Sequence, residues 1–211
     1  MSLNNRFITI EGTEGAGKST AMSCLKAWFE SRSVTPIITR EPGGTPLAEE
    51  IRNILLAHRD EAVAAKTELL LMYASRVQLT EGTIKPALMN GEWVISDRYN
   101  DASFAYQGVG RALGLDLLQT LDNWSLDGFK PGHTLFLDLP VNVGIQRAGQ
   151  RGELDRFERE DIEFFERVRQ GYLRRADNDP ERFIVIDAAQ SIEDVKQQII
   201  VELDARLSHE F

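Results

Sequence analysis

The chain has little cysteine, no long apolar run and no histidine arranged for metal. Cys24 stands alone among 211 residues, so no disulfide can form within the chain. That suits a reducing cytoplasm, which is the expected location. The longest unbroken apolar run, Leu69 to Ala74, is far too short to cross a bilayer. Met1 to Arg6 is polar and has no apolar stretch of the kind that directs secretion. His58, His133 and His209 fall at no spacing that binds zinc or serves a nucleophile. Internal repeats, low-complexity stretches and a proline-rich linker are missing too, so residues 1–211 read as one domain. Positive charge is outnumbered: the formal net charge is −9, which disfavours nucleic acid as a partner. Lysine is scarcer still, with 6 against 18 arginines. That bias reflects either genomic composition or a use for the planar guanidinium fork, which grips phosphate in two places. Where the arginines sit decides what they do.

What is present is an alternation of short apolar runs and longer amphipathic ones. Phe7–Ile10, Pro36–Thr39, Trp93–Ser96, Thr134–Leu137 and Phe183–Ile186 read as strands. Helical patterns cover Ala21–Phe29, Leu47–Leu56, about Ala62–Asn90 with a break near Pro86, Ala102–Tyr106, Leu115–Trp124, Val141–Ala148, about Glu158–Asp177 and Ser191–Leu207. Five strands separated by helices predict an α/β fold of three layers, a five-stranded parallel sheet with helices on both faces. Ligands in such folds bind beyond the carboxyl ends of the strands. Glu11 to Ser19, Arg40 to Thr45, Asp97 to Tyr99 and Asp187 to Gln190 all follow strands, so they are expected to line one cleft.

The first of these segments carries the sharpest motif. Gly12-Thr13-Glu14-Gly15-Ala16-Gly17-Lys18-Ser19, followed by Thr20, fits the phosphate-binding loop pattern, and it lies between a strand run and a helix pattern, as the motif requires. The glycines let backbone N–H groups turn onto phosphate oxygens. The helix N-terminus adds partial positive charge. Lys18 reaches the outer phosphates, and the Ser19 hydroxyl is placed to ligate Mg²⁺. The loop predicts a P-loop NTPase-type fold.

Other residues gain meaning beside that loop. Asp97 is either a magnesium carboxylate or a strand-end ion pair, and Arg98 would face the same cleft. Arg76 lies on the apolar stripe of its helix with Met72 one turn earlier. A buried arginine needs a partner, so it either pairs with a core acid or points into a ligand cleft, where it would suit a planar base. Asn100, Ser103, Tyr106 and Gln107 share a face if the turn after Tyr99 is helical. Arg147, Arg151 and Arg156 flank Gly149 and Gly152, and form either a solvated charged loop or an Arg-rich lid over about residues 147–158 that neutralises a transferring phosphoryl group.

Taken with Thr39-Arg40-Glu41-Pro42-Gly43-Gly44-Thr45, Asp97-Arg98-Tyr99, Ala105-Tyr106-Gln107-Gly108 and Arg151-Gly152-Glu153-Leu154-Asp155-Arg156, the loop makes the chain resemble the thymidylate kinase family, nearly end to end. The resemblance implies transfer of the γ-phosphate of ATP to dTMP with Mg²⁺, in a homodimer. It implies that the loop amides and Lys18 hold ATP, and that Glu14 approaches the dTMP 3′-hydroxyl. Arg40, Arg52 and Arg98 would reach the dTMP phosphate, and Arg76 the thymine edge, with Ser103 and Gln107 nearby. Tyr106 would crowd the 2′ position. Arg147, Arg151 and Arg156 would form the lid. Gly15 stands where one branch of the family has a loop arginine, so the chain resembles the lid-arginine branch. The family often has phenylalanine at Met72; methionine covers a ring face through a flexible thioether, and Tyr73 is the neighbouring aromatic.

Two rivals are weighed by their residues. A kinase for another small acceptor shares the loop, and a nucleoside kinase would need a carboxylate base, for which Glu41 is the acid suggestively placed. A GTPase switch would carry Asn-Lys-x-Asp and Asp-x-x-Gly motifs, and neither occurs.

Overall fold

The computed structural model describes residues 3–149, 156–157 and 160–210. Five strands form: β1 (Phe7–Glu11), β2 (Ile37–Arg40), β3 (Val94–Asp97), β4 (His133–Asp138) and β5 (Phe183–Asp187). Each runs one residue further at its carboxyl end than the apolar pattern predicts. That last residue is charged every time: Glu11, Arg40, Asp97, Asp138 and Asp187. Hydrophobic patterning stops where the sheet leaves its core, but backbone pairing continues into the polar rim.

The strands are all parallel, in the order β2-β3-β1-β4-β5. Consecutive chain order is broken at β1, which lies between β3 and β4. A crevice opens at such a switch point, beyond the carboxyl ends. Side chains alternate between the two faces of the sheet. Ile8, Ile10, Ile95, Leu135, Leu137, Ile184 and Ile186 enter one core, under α1 (Lys18–Glu30) and α9 (Ile192–Leu207). Phe7 and Val94 pack on the other face with Leu69, Tyr73 and Leu79 of α3 (Ala65–Leu79) and with Leu118 and Leu126 of α6 (Leu115–Leu126). Phe136 and Phe183 meet α8 (Ile162–Asn178) on that same second side. Each fully buried Leu, Ile or Phe contributes roughly 1.5–3 kcal/mol.

The remaining helices are α2 (Pro46–Leu56), α4 (Lys85–Met89), α5 (Asn100–Ser103) and α7 (Val141–Ala148). Caps set several starts. The Thr45 side chain accepts from Ala48 N ahead of α2, the Asp161 side chain from Phe164 N ahead of α8, and the Ser191 side chain from Asp194 N ahead of α9. The Asp161 cap puts the start of α8 at Ile162, later than the expected Glu158.

Two helices depart from the expected pattern. The predicted break near Pro86 is a π-helical turn over Thr80–Ile84, after which α4 carries on to Met89. Proline lacks an N–H and crowds the carbonyl four residues back, and a widened turn just before it absorbs both defects. A second π-helical turn, Phe104–Gly110, extends α5 well past the predicted end at Tyr106. It turns Tyr106 and Gln107, both buried, toward the crevice.

Candidate active site

Glu11 closes β1 and is completely buried. Its carboxylate accepts from the Tyr99 backbone N at 2.8 Å and from the Tyr172 hydroxyl at 2.7 Å. Burial pushes its pKa up to about 8, with the Asp101 charge adding to the rise. Beyond it, Gly12, Gly15 and Gly17 all take positive φ (151°, 75° and 93°), and the chain wraps back into the N-terminus of α1. The loop is also pressed against α7. A Cβ on Gly15 would collide with the backbone of Gly144, and one on Gly144 would sit 2.5 Å from the Glu14 carbonyl oxygen. Lys18 Nζ folds over the loop and donates to Gly12 O at 3.3 Å. Burial lowers the Lys18 pKa, and repulsion from Arg98 lowers it further. Ser19 is exposed on the first turn of α1.

Opposite the loop, β3 ends at Asp97. Arg98 follows in a left-handed conformation, φ 70°, with its carbonyl held by the Ser96 hydroxyl at 2.7 Å. That backbone turn sends the guanidinium across the crevice to Glu14 and Tyr106. Burial pushes the Glu14 carboxyl up, but Arg98 and Lys18 outweigh it and hold the carboxyl below its usual range.

From the β2 side comes the Arg-Glu-Pro-Gly-Gly-Thr segment. Arg40 Nη2 donates to Glu49 at 3.0 Å, and Arg52 Nη1 donates to the Pro42 carbonyl at 2.8 Å. Gly43 N donates to the Ser75 hydroxyl and Gly44 N to Glu49, which fixes the segment onto α3 and α2. Arg76 meets both alternatives raised by its position. Its Nε donates to Glu41 Oε2 at 2.7 Å, and its side chain also lines the crevice. Burial pushes the Glu41 pKa up to about 7, even against the pull of Arg76.

These segments enclose a partly open cavity of about 200 Å³. Glu14, Gly15, Lys18, Arg40, Arg52, Met72, Arg76, Asp97, Arg98, Ser103, Tyr106 and Gln107 all line it. Three of the four strand-end segments therefore converge, as expected. The fourth does not. Asp187 and Gln190 lie in a separate depression with Val185 and Gln198. Thr13 faces a smaller apolar hollow beside α7.

Three expected site residues sit elsewhere. Tyr73 lies behind Arg76, its ring 4.6 Å from that guanidinium, and its hydroxyl donates to Asp122 at 2.9 Å. Arg147 donates to the Ala188 carbonyl at 3.0 Å, just past the carboxyl end of β5. Arg156 is held by Glu68 Oε2 at 2.7 Å and donates to the Leu55 carbonyl at 3.0 Å. Arg151 and most of the expected lid lie outside the described residues. Glu68, missed at the sequence level, is a completely buried acid that gathers Gln107, Arg111 and Arg156. Phe157, Leu56 and Ala102 were missed as well and supply apolar wall.

No cluster of three or more His, Cys, Asp or Glu side chains able to hold a metal occurs among the described residues. Asp97 Oδ1, however, is buried with no hydrogen-bond partner among them, and it faces the cavity beside Lys18. A buried carboxylate oxygen left unpaired is costly, and a divalent cation shared with phosphate oxygens would relieve it.

A parallel sheet that delivers a glycine-rich loop and a helix N-terminus to its switch point defines a P-loop NTPase-type protein. The second group of arginines, facing that loop across a cavity, places it with the nucleotide kinases of that class, which bring two phosphates together. A family model described as thymidylate kinase matches residues 10–199. The thymidylate kinase of Teredinibacter turnerae is 48% identical over 205 residues, covering 97% of this chain and 100% of its own length. Those of Hahella chejuensis and Pseudomonas putida (strain GB-1) are 49% and 51% identical, covering 96% and 93% of this chain and 97% and 94% of their own. The chain belongs to the thymidylate kinase family.

Proposed function

We infer that the protein transfers the γ-phosphate of ATP to dTMP, giving dTDP and ADP, as a step of dTTP synthesis. One observation carries the reading at the level of the site: the phosphate loop with Lys18 and the arginines Arg40, Arg52 and Arg98 open onto the same cavity. Two anionic nucleotides repel each other, and that cavity places cations on both sides of the point where they would meet.

The roles are assigned from the family resemblance, which the lining of the cavity supports. Residues Gly12 to Thr20 hold the ATP phosphates, with Lys18 on the outer ones. Arg40, Arg52 and Arg98 receive the dTMP phosphate. Met72, Ser103 and Gln107 wall the base near Arg76, and Tyr106 and Glu14 meet the sugar. The acceptor phosphate has a second pKa near 6, so about nine-tenths of it is ionised at neutral pH and no general base is required. Catalysis rests on alignment and charge neutralisation. Lys18 and Arg98 supply fixed positive charge inside a half-buried site, where it acts more strongly than in water. Ser19 and Asp97 would hold Mg²⁺, which when bound supplies further neutralisation of the phosphate oxygens. Arg151 joins as the lid arginine on the family resemblance. Arg147 and Arg156 join it as lid arginines on the same resemblance, although here they are held at the Ala188 carbonyl and at Glu68 and do not line the cavity.

A nucleoside kinase would need a free carboxylate near the acceptor hydroxyl. Glu41, the candidate, is ion-paired to Arg76 through Oε2 and keeps Oε1 without a hydrogen-bond partner among the described residues, so the choice of acceptor separates the two readings. The single-domain, homodimeric and cytoplasmic expectations belong to this proposal. Incubation with ATP, Mg²⁺ and a panel of acceptors tests it. dTMP is the expected best acceptor; faster turnover of thymidine overturns the reading.

A further inference from the structure

Arg76 is 1% exposed, yet its guanidinium is only partly paired. Nε donates to Glu41 Oε2 at 2.7 Å and Nη2 to the Tyr99 carbonyl at 3.1 Å. Nη1 is buried and has no hydrogen-bond partner among the described residues. The plane is held from behind by the Tyr73 ring, 4.6 Å away, and Tyr73 is itself tied to Asp122. Glu41, the Tyr99 carbonyl and the Tyr73 ring fix the fork, and the nitrogen left over belongs to a residue that lines the cavity.

We propose that Glu41 is a positioning residue for base selection: it clamps Arg76 so that one donor-only nitrogen meets the base edge. The proposal rests on the reading of the cavity as a dTMP site. An arginine nitrogen donates and never accepts. Held in one place, it pairs with a ring carbonyl and leaves an exocyclic amino group facing a donor. A pyrimidine with oxygen at C4 is therefore admitted and its 4-amino counterpart refused. A site built to pair one group discriminates strongly against an analogue that leaves buried polar atoms unpaired. Without the clamp, the guanidinium turns about its flexible stem and offers no fixed donor. Glu41 also lines the cavity and its Oε1 has no hydrogen-bond partner among the described residues, but its effect on the base is exerted through Arg76. Glu41 follows Arg40 directly, so a single turn after β2 serves both the phosphate and the base ends of the cavity.

The test uses the full chain and two variants, Glu41→Ala and Glu41→Gln. KM and kcat are measured for dTMP, for 5-methyl-dCMP and for ATP, with a melting curve for each protein. Glu41→Ala is expected to raise the dTMP KM tenfold or more and leave the ATP KM within twofold. It should shrink the dTMP to 5-methyl-dCMP ratio of kcat/KM at least tenfold. Glu41→Gln keeps an oxygen for Nε but loses the charge, and should fall between Glu41→Ala and wild type. An unchanged ratio in a folded variant overturns the proposal, as does equal loss toward both nucleotides. If Glu41→Ala does not fold, the near-isosteric Glu41→Gln decides by the same ratio. Wild-type chain that fails to turn over dTMP defeats the underlying reading. Wild-type turnover with variant ratios unchanged defeats the role of Glu41 alone.

Discussion

Arg98 Nη2 lies 2.6 Å from Glu14 Oε1, and the Tyr106 hydroxyl closes the triangle, 3.0 Å from the same nitrogen and 2.7 Å from Glu14 Oε2. A residue of the phosphate loop and a residue from the end of β3 are thereby joined across the crevice. The guanidinium also lies 4.8 Å over the Tyr106 ring, so its place is fixed before any ligand arrives. Charge fixed in advance costs little reorganisation during reaction.

Arg98→Ala should therefore lower kcat by about 10²–10³, the usual loss for one such donor. Glu14→Gln keeps the packing but slackens the hold on Arg98, so a smaller fall is expected. Steady-state kinetics with dTMP and ATP separates the two variants. A kcat in Arg98→Ala within threefold of wild type would show that the arginine merely braces the loop.

Acid stability should depend on Asp101, fully buried between Arg182 and Arg175. Burial raises its pKa, but the two arginines prevail and hold it at about 2, against an ordinary value of 3.8. A depressed carboxyl stabilises the fold above its unfolded value, and that stabilisation disappears as pH falls from about 4 to about 2. The shift corresponds to about 2 kcal/mol. His133 adds an earlier stage: burial pushes it down to about 4, so stability also declines as pH falls below the ordinary 6.5. Urea denaturation at pH 7, 5 and 3 should show both stages. Asp101→Asn should be less stable at pH 7 and should lose less stability than wild type between pH 4 and 2, the remaining slope coming from the other depressed carboxyls such as Glu14 and Asp179. A variant curve parallel to wild type there refutes the assignment.

Glu68→Ala should be the most destabilising of these changes, because it takes the carboxylate from Arg156 and Gln107 around a buried void, while Arg111 keeps Glu160 at 2.6 Å. Breaking a buried pair on one side costs about 3–5 kcal/mol. Gln107 also loses the acceptor at 2.8 Å that orients its amide in the cavity wall. A lower urea midpoint and a raised dTMP KM are expected together. A midpoint equal to wild type would mean that the carboxylate is dispensable to packing.

Much of this architecture was legible in the sequence because its signals are local. A glycine-rich loop between a strand and a helix, and the polar segments that follow the apolar runs, each sit within a few residues of their consequences. Arg76 announced its own need for a partner by appearing on an apolar stripe, and that partner, Glu41, lay within the quoted Arg-Glu-Pro-Gly-Gly-Thr segment. Glu68 gave no such sign. Its partners Gln107, Arg111 and Arg156 are 39, 43 and 88 residues away, and helical spacing is silent about contacts at that range. The π-helical turns were hidden for a related reason. A single widened turn shifts the facing of every later side chain, yet the apolar pattern carries no mark of where the extra residue is taken up. Asp187 to Gln190 was misplaced because position after a strand tells which end of the sheet a loop occupies, not which neighbour it faces; β5 lies at the sheet edge, two strands from the switch point.

The contact between Gly15 and Gly144 closes position 15 to any side chain. While α7 rests against the loop, position 15 has no room for even a methyl group, let alone a guanidinium. A chain that wanted its mobile cation there would first have to lift that helix away, disturbing the Val141 and Phe165 packing beside it. Placing an arginine at position 15 is thus a repacking of two elements and not a one-residue exchange, and a single mutation there would meet a collision.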